Sequence, residues 1–328
     1  MKYRYLSDCH THSDCSPDAS DPTMMLCECA CRLGLYALTI TDHCECNVYR
    51  EEEYDRSVRQ SYFEARKASA VFHGRLHVRA GIELGQPMQN IEAAEDILDA
   101  CDFDFTLASV HNVQGMPDFY ELDYSQVDLT KTLHQYFDEI LETIEWGKFD
   151  SLAHLTYPWR YIVGEHGLAI DDVQLSGRID EVLTALIKNG KALEVNTSGL
   201  RQKLGETMPN LQIVKRYYEL GGKLVTLGSD AHRWPDVGAG MEEGMKLIRQ
   251  AGFTHFALYS HHEPKLLPIE GVHFQGALPN FGEGPLLINM VSIPFVGFIT
   301  MKTIYNAIPI YGLFLDWIFS LVGNCCIL

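Results

Sequence analysis

Short apolar runs alternate with longer segments of helical periodicity between residues 3 and 262 of this chain. The apolar runs predict β-strands at 3–7, 36–41, 76–83, 103–109, 150–153, 192–196 and 223–228, with a further candidate at 255–259. The helical pattern predicts helices near 22–34, 50–73, 90–101, 131–147, 174–188, 208–221 and 238–251. Strand followed by helix, repeated about seven times, indicates an α/β fold built on a parallel sheet.

Side chains that can bind a metal recur at the ends of the predicted strands. They are Asp8, His10, His12, Asp42, His43, Glu83, His111, His154, Glu194, Asn196, Asp230 and His232. An open doubly wound sheet collects its ligands at one switch point, whereas a closed parallel barrel gathers the ends of all its strands at one rim. The distribution therefore predicts a barrel with a polynuclear metal site at the C-terminal rim of its strands. Imidazole and carboxylate ligands suit zinc, manganese and iron alike.

The C-terminal part of the chain has a different composition. Residues 284–301 carry no charge, and a second apolar segment surrounds residues 311–317. This length reaches the lower limit for a membrane span, but several prolines and the lack of a basic flank argue against one. We expect a domain at 1–269 and an apolar extension at 270–328. The extension is interpreted as a membrane or interfacial segment within 284–322, as a surface that packs on the domain or a partner, or as a tail foreign to the domain. The terminal Cys-Cys-Ile-Leu matches a prenylation box formally.

The charge and the cysteines restrict the partners and the compartment. A formal net charge of −18 argues against nucleic acid as a partner, because binding its backbone needs a basic surface. The ten cysteines are unevenly spaced and no cleavable signal peptide opens the sequence, so we expect reduced thiols and a cytoplasmic protein. Cys27, Cys29 and Cys31 lie in a helical pattern, where residues two apart do not share a face, and are not expected to bind zinc.

The chain resembles the PHP (polymerase and histidinol phosphatase) family, and within it the stand-alone histidinol-phosphate phosphatases, which are not attached to a polymerase. The resemblance covers about residues 3–268 and rests on DCHTH with SPD, TDH, GIELG, SVH, AHL with TYPWRY, LEVNTSGLR and GSDAH, in that order. It implies a distorted (β/α)7 barrel with two or three divalent ions at the rim. The implied ligand sets are His10, His12, Glu83 and Asp230 for one ion, Glu83, His111 and His154 for a second, and Asp18, His43 and His232 for a third. Some members have a histidine where this chain has Asp18.

The resemblance implies a phosphomonoesterase that hydrolyses L-histidinol phosphate, a small phosphate ester, through metal-bound hydroxide. Arg160 and Arg201 are expected to contact the phosphate in a fork-like manner, or else to be surface arginines. Asp230 or His232 is expected to protonate the leaving alkoxide. Asp8 and Asp42 are predicted to orient an imidazole of the site.

Three alternatives remain open at this stage. They are a phosphoesterase for other small phosphate esters, an amidohydrolase-like hydrolase, and a noncatalytic metal-binding scaffold. An amidohydrolase would require eight strands and commonly a bridging lysine, where this chain has Glu83. A degenerate scaffold would have lost ligands. The oligomeric state is left open by the sequence.

Overall fold

The computed structural model describes residues 3–170 and 172–270. The apolar extension predicted at 270–328 lies outside the described residues except for Glu270, and with it lie the membrane and prenylation hypotheses. Among the described residues, no helix combines the length and the apolar composition needed to cross a membrane. The eight cysteines of this part are free thiols.

Seven parallel strands form a nearly closed barrel. Its strands, in spatial order, are β1 (Ser7–Thr11), β2 (Ala37–Ile40), β4 (His77–Gly85), β5 (Phe105–Ser109), β6 (Ser151–Leu152), β7 (Ala192–Asn196) and β8 (Val225–Gly228), and a short strand β3 (His43–Glu45) pairs with the far end of β4. The segment after β8 returns to β1, where Asp230 N donates to His10 O at 2.8 Å and His12 N donates to Ala231 O at 2.8 Å. These two bonds close the barrel at its C-terminal rim.

Eight α-helices in the described part of the chain surround the barrel. They are α1 (Thr23–Leu33), α2 (Tyr54–Val71), α3 (Ile91–Ala100), α4 (Leu129–Trp146), α5 (Tyr157–Trp159), α6 (Asp172–Lys188), α7 (Leu211–Glu219) and α8 (Met241–Ala251). The seven predicted helices lie close to their expected positions. The ends of α4 illustrate why: the Asp128 side chain accepts from Lys131 N at the start, and Gly147 takes a left-handed conformation (φ 73°) at the end. The short α5, continued by a π-helical turn over Arg160–Glu165, was not predicted.

The first strand lies later in the chain than predicted. The apolar run at 3–7 suggested a strand there, but β1 is Ser7–Thr11, so His10 lies within the strand rather than beyond it. Glu83 likewise lies within β4. All five residues of β1 are buried although four of them are polar, because other polar groups inside the barrel bind them. A hydrophobic pattern cannot detect such a strand.

An antiparallel hairpin follows the barrel. The candidate strand at 255–259 is present as β9 (His255–Ser260), but it pairs with β10 (Glu263–Pro268) rather than with a barrel strand. Its turn contacts the residues that precede β5 and β6, at the end of the barrel opposite the predicted metal rim. There His262 Nδ1 lies 2.8 Å from Asp150 Oδ2, and Ser260 Oγ donates to Asp104.

Candidate metal centre and active site

The structure brings the nine predicted metal ligands to one rim, and Glu83 lies at their centre. Its Oε1 is 2.8 Å from His154 Nε2 and 3.2 Å from His111 Nε2. Its Oε2 is 3.2 Å from His10 Nε2 and 3.5 Å from His12 Nε2. Both oxygens of one buried carboxylate therefore face imidazole nitrogens from separate parts of the chain.

Asp230 completes the first predicted ligand set. Its Oδ1 lies 3.5 Å from His12 Nε2 and 3.8 Å from His10 Nε2. The residue has a φ of 55°, a left-handed conformation that a non-glycine side chain rarely adopts. The bond from Asp230 N to His10 O holds the backbone there, so the closure of the barrel also places this carboxylate.

The third predicted set lies at the edge of the cluster. Asp18 Oδ2 is 3.0 Å from His232 Nε2 and 3.7 Å from His43 Nε2, and the Asp18 side chain is 56% exposed. The His12 ring packs against those of His43 and His232, with its centroid 4.2 Å from each, and these two rings are themselves 5.6 Å apart. His43 Nδ1 also lies 3.1 Å from Glu83 Oε2, so the three sets form one continuous cluster.

The charges of the cluster depend on one another. Burial alone would raise the pKa of Glu83, but the charges of His10, His43 and His111 lower it well below its ordinary value. Burial lowers the pKa of His12, and the neighbouring His232 and His43 lower it further, so this imidazole stays neutral. Glu83 and His12 are thus held in the protonation states that metal binding requires. The pKa of His10, His43 and His111 is different: burial lowers it, but the neighbouring carboxylates raise it well above its ordinary value, so a cation that binds here would displace protons from these imidazoles.

Several nitrogen atoms of the cluster have no hydrogen-bond partner. His12 Nε2, His43 Nδ1 and His154 Nδ1 are buried and make no hydrogen bond of good geometry, although carboxylate oxygens lie 3.5 Å from the first and 3.1 Å from the second. Buried polar atoms of this kind are uncommon and call for an explanation such as an ion. Three groups have ligand atoms close enough together to share one cation: His12, His43 and His232; His10, His12 and Glu83; and His43, Glu83 and His111. The donor set therefore fits divalent cations that accept nitrogen and oxygen ligands.

The two aspartates predicted to orient an imidazole do something else. Asp8 accepts from the backbone N–H groups of Ser229 and Gly238, each at 2.9 Å, and so holds the segments around β8. Asp42 accepts from three serine hydroxyls, among them Ser16, whose Oγ lies 3.3 Å from His12 Nδ1. The prediction is wrong for Asp8, whose carboxylate accepts from backbone N–H groups and not from an imidazole, and Asp42 reaches an imidazole only through Ser16.

The two predicted phosphate-binding arginines occupy different positions. Arg160 lines the cavity above the cluster and its Nη2 donates to Asp230 Oδ2 at 2.9 Å and to Ser198 Oγ at 2.7 Å. Burial would lower its pKa, but Asp230 raises it, so the guanidinium stays charged. Arg201 donates to the backbone oxygens of Ser229 and Asp230 at 2.9 and 3.3 Å and does not line the cavity.

Glu45 is the main residue of the site that sequence reasoning missed. This carboxylate lines the cavity, and its Oε1 lies 3.1 Å from His111 Nδ1 and 3.2 Å from His43 Nδ1. Gln86 also donates to it, at 2.6 Å. Alternate residues of an extended segment point the same way, so the spacing of Glu45 from His43 was a usable signal.

The cavity over the cluster has a volume of about 770 Å³. Besides the cluster, its wall is formed by residues that precede α4 and by the α5 segment, including Met116, Asp118, Tyr120, Glu121, Tyr157 and Tyr161. Tyr157 OH donates to Asp118 at 3.0 Å and lies 3.2 Å from Tyr161 OH. Carboxylates and phenols thus face the same space as the metal-capable side chains.

Comparison with protein families identifies the barrel. The family model of the PHP domain matches residues 8–198, more than half of the chain. This chain belongs to the PHP family. The match spans the PHP motifs from β1 to just beyond β7, and Asp230 and His232 lie outside it, after α7 and β8.

Relatives extend the similarity over most of the chain. A probable histidinol-phosphatase of Thermotoga maritima is 30% identical over 255 residues, which cover 77% of this chain and 95% of the relative. The histidinol-phosphatase of Lactococcus lactis is 26% identical over 257 residues, covering 77% of this chain and 94% of the relative.

Solved structures share the PHP fold. The crystal structure of histidinol phosphate phosphatase from Lactococcus lactis, complexed with zinc, L-histidinol and phosphate, superposes with a TM-score of 0.64 at 24% identity, over 79% of this chain and 98% of that one. A putative histidinol phosphatase from Listeria monocytogenes gives a TM-score of 0.63 at 18% identity, over 72% and 99% of the two chains. The predicted seven-stranded barrel and family are confirmed.

Proposed function

We propose that this protein is a metal-dependent phosphomonoesterase that hydrolyses L-histidinol phosphate to L-histidinol and phosphate. The observation that carries the proposal is the cluster around Glu83, in which buried imidazoles and carboxylates converge beneath a cavity large enough for a small phosphate ester. The histidinol-phosphatase names of its relatives supply the substrate.

The nine clustered residues would hold two or three divalent ions. Glu83 would contribute to the binding of two of them, because its two oxygens face different imidazoles. Zinc, manganese and iron all accept this mixture of imidazole and carboxylate, and the zinc bound by the Lactococcus lactis enzyme makes it the first metal to test. When bound, such ions activate a water for attack on phosphorus and neutralise the charge that develops on the phosphate oxygens.

Arg160 would orient the phosphate. Its guanidinium lines the cavity and is anchored by Asp230 and Ser198, so its position is fixed before the substrate arrives. Arg201 would contribute indirectly, since its hydrogen bonds fix the backbone at Ser229 and Asp230.

The leaving alkoxide needs a proton. Burial raises the pKa of Asp230, but His10, His12 and Arg160 lower it well below its ordinary value, so this carboxylate stays ionised near neutral pH. We therefore do not assign the proton transfer to Asp230. With two ions bound, His232 at the more exposed edge of the cluster is free to donate the proton; with three, His232 is a ligand and water in the cavity donates it.

The organic part of the substrate also fits the cavity. Histidinol carries a positively charged amino group and an imidazole, and the wall offers the carboxylates of Asp118 and Glu121 beside Tyr120, Tyr157 and Tyr161. An acidic and aromatic wall suits a cationic, ring-bearing alcohol better than an anionic sugar phosphate or nucleotide.

A substrate panel tests the proposal. We expect kcat/KM for L-histidinol phosphate to exceed that for p-nitrophenyl phosphate, ribose phosphate and nucleotides by at least about tenfold, or roughly 1.4 kcal/mol. Equal rates across the panel would indicate a general phosphatase. Hydrolysis of an amide or lactone without phosphatase activity would favour the amidohydrolase alternative, against which the seven-stranded barrel and Glu83 already argue.

A further inference from the structure

A second buried glutamate contacts the cluster without facing the cavity. Glu194 lies in β7 and is 1% exposed. Its Oε1 is 2.7 Å from His10 Nδ1, while its Oε2 accepts from His154 N at 2.8 Å and from Asn196 Nδ2 at 3.2 Å. Both oxygens of Glu194 therefore contact candidate ligands, at atoms other than the ring nitrogens that face Glu83.

The bond to His10 determines which ring nitrogen can bind a metal. An ionised carboxylate only accepts hydrogen bonds, so His10 must carry a proton on Nδ1 to donate to Glu194. The other ring nitrogen of His10, Nε2, then points at Glu83 Oε2, 3.2 Å away, and this nitrogen can offer a lone pair to a cation. The bond to His154 N fixes a backbone with a φ of 21°, from which the His154 ring reaches Glu83 Oε1.

We propose that Glu194 is a positioning residue rather than a ligand. It selects the tautomer of His10 and holds the backbone of His154, so that the two imidazoles meet the two different oxygens of Glu83. This inference rests on the proposed metal site. Carboxylates that orient a metal-binding histidine typically change metal affinity by about 10- to 100-fold when they are replaced.

Gly228 makes the arrangement sterically feasible. This last residue of β8 lies beside both partners, and a Cβ at its position would overlap with Glu194 Oε1 and His10 Cβ. The glycine therefore leaves the space through which the carboxylate reaches the imidazole.

Glu194→Gln provides the test, because glutamine offers one acceptor and one donor where the structure requires two acceptors. If the amide oxygen keeps the bond from His154 N, the amide nitrogen faces His10 Nδ1 and favours a proton on Nε2. We expect zinc affinity to fall by about 10- to 100-fold, measured by competition with a chromophoric chelator.

Asp150→Asn is the matched control. Asp150 also accepts from one backbone N–H, that of Thr106 at 2.8 Å, and contacts one imidazole, that of His262, but at the opposite end of the barrel. This variant should lose stability without losing zinc affinity. If Glu194→Gln binds zinc as tightly as Asp150→Asn, the positioning role is overturned.

The ring nitrogens of His10 give a second measurement by ¹⁵N NMR. In the zinc-loaded wild type we expect the proton on Nδ1, and finding it on Nε2 would overturn the proposal even if Glu194→Gln fails to fold. Without metal, Nε2 faces Glu83 and can carry a proton in either protein, so the metal-free comparison concerns Nδ1: we expect wild type to keep a proton there and Glu194→Gln to lose it, a change that loss of a simple ligand would not produce. A wild-type protein that binds no metal would instead refute the proposed function.

Discussion

Replacing Glu83 with glutamine perturbs the cluster at its centre. Five histidines have a ring nitrogen within 3.5 Å of its carboxylate, and they are His10, His12, His43, His111 and His154. Glutamine keeps the size and one acceptor but removes the negative charge. We expect Glu83→Gln to abolish turnover and to weaken metal binding while the barrel stays folded, because its strands are held by backbone hydrogen bonds.

The magnitude follows from burial. Glu83 is fully buried, and its lowered pKa keeps it charged at neutral pH. Removing one partner of a buried ion pair costs about 3–5 kcal/mol. Expressed as metal affinity, that cost corresponds to a dissociation constant that is larger by roughly 150- to 5,000-fold.

The assay measures phosphate release and bound metal on the same preparation, with circular dichroism to check the fold. Asp104→Asn is the control. Asp104 is also a buried carboxylate, only 2% exposed, and it accepts a hydrogen bond from Ala80 N in β4, the strand that carries Glu83, but away from the cluster. Wild-type activity at full metal content in Glu83→Gln would refute the contribution of this residue to metal binding.

Three further predictions concern other parts of the chain. Arg160→Lys should lower kcat/KM by about 10- to 100-fold with metal content unchanged, because lysine cannot form a forked contact with the phosphate. Steady-state kinetics and metal analysis measure both quantities, and an unchanged kcat/KM would contradict the role of Arg160. Truncation after residue 270 should leave an active, metal-loaded enzyme, since the predicted ligands lie before residue 233 and β10 is retained; loss of metal or folding would show that the extension belongs to the domain. The hydrogen bond to Asp150 raises the pKa of His262, so the pair should stabilise the fold fully below about pH 6.5 and lose its effect as the pH rises through the raised pKa. Because the His262 side chain is half-exposed, the pair should contribute at most about 1 kcal/mol, and wild type and His262→Ala should differ more in thermal unfolding at pH 6 than at pH 9.

The barrel and its rim could be predicted because two independent patterns coincide along the chain. Apolar runs identify strands such as β5 and β8, whose residues pack against the surrounding helices. Metal-capable side chains such as His111 and Asp230 follow those runs, and parallel strands must bring their ends to one rim. Periodicity and position together therefore predict the cluster without any knowledge of its distances.

The strands that failed to fit the pattern are those whose environment is polar. Most residues of β1 are polar and fully buried, so an apolar run could not indicate its position. The hairpin of β9 and β10 contains a normal apolar strand, but its antiparallel partner is exposed along much of its length and shows no strand pattern. For β1 the deciding interactions are made with residues distant in sequence, whereas β10 is decided by its pairing with the neighbouring β9.

Distance along the chain also fails to tell which carboxylates support the cluster and which only adjoin it in sequence. Asp8 is two residues from His10, yet its carboxylate serves the backbone at Ser229, which is 221 residues away. The carboxylate that contacts His10 Nδ1 is that of Glu194, which is 184 residues away and arrives through the space beside Gly228. Sequence proximity predicts which residues share a strand end, because the backbone geometry is local. Which carboxylate holds an imidazole depends on how strands meet inside the closed barrel, and that depends on side-chain volumes across β1, β7 and β8 together.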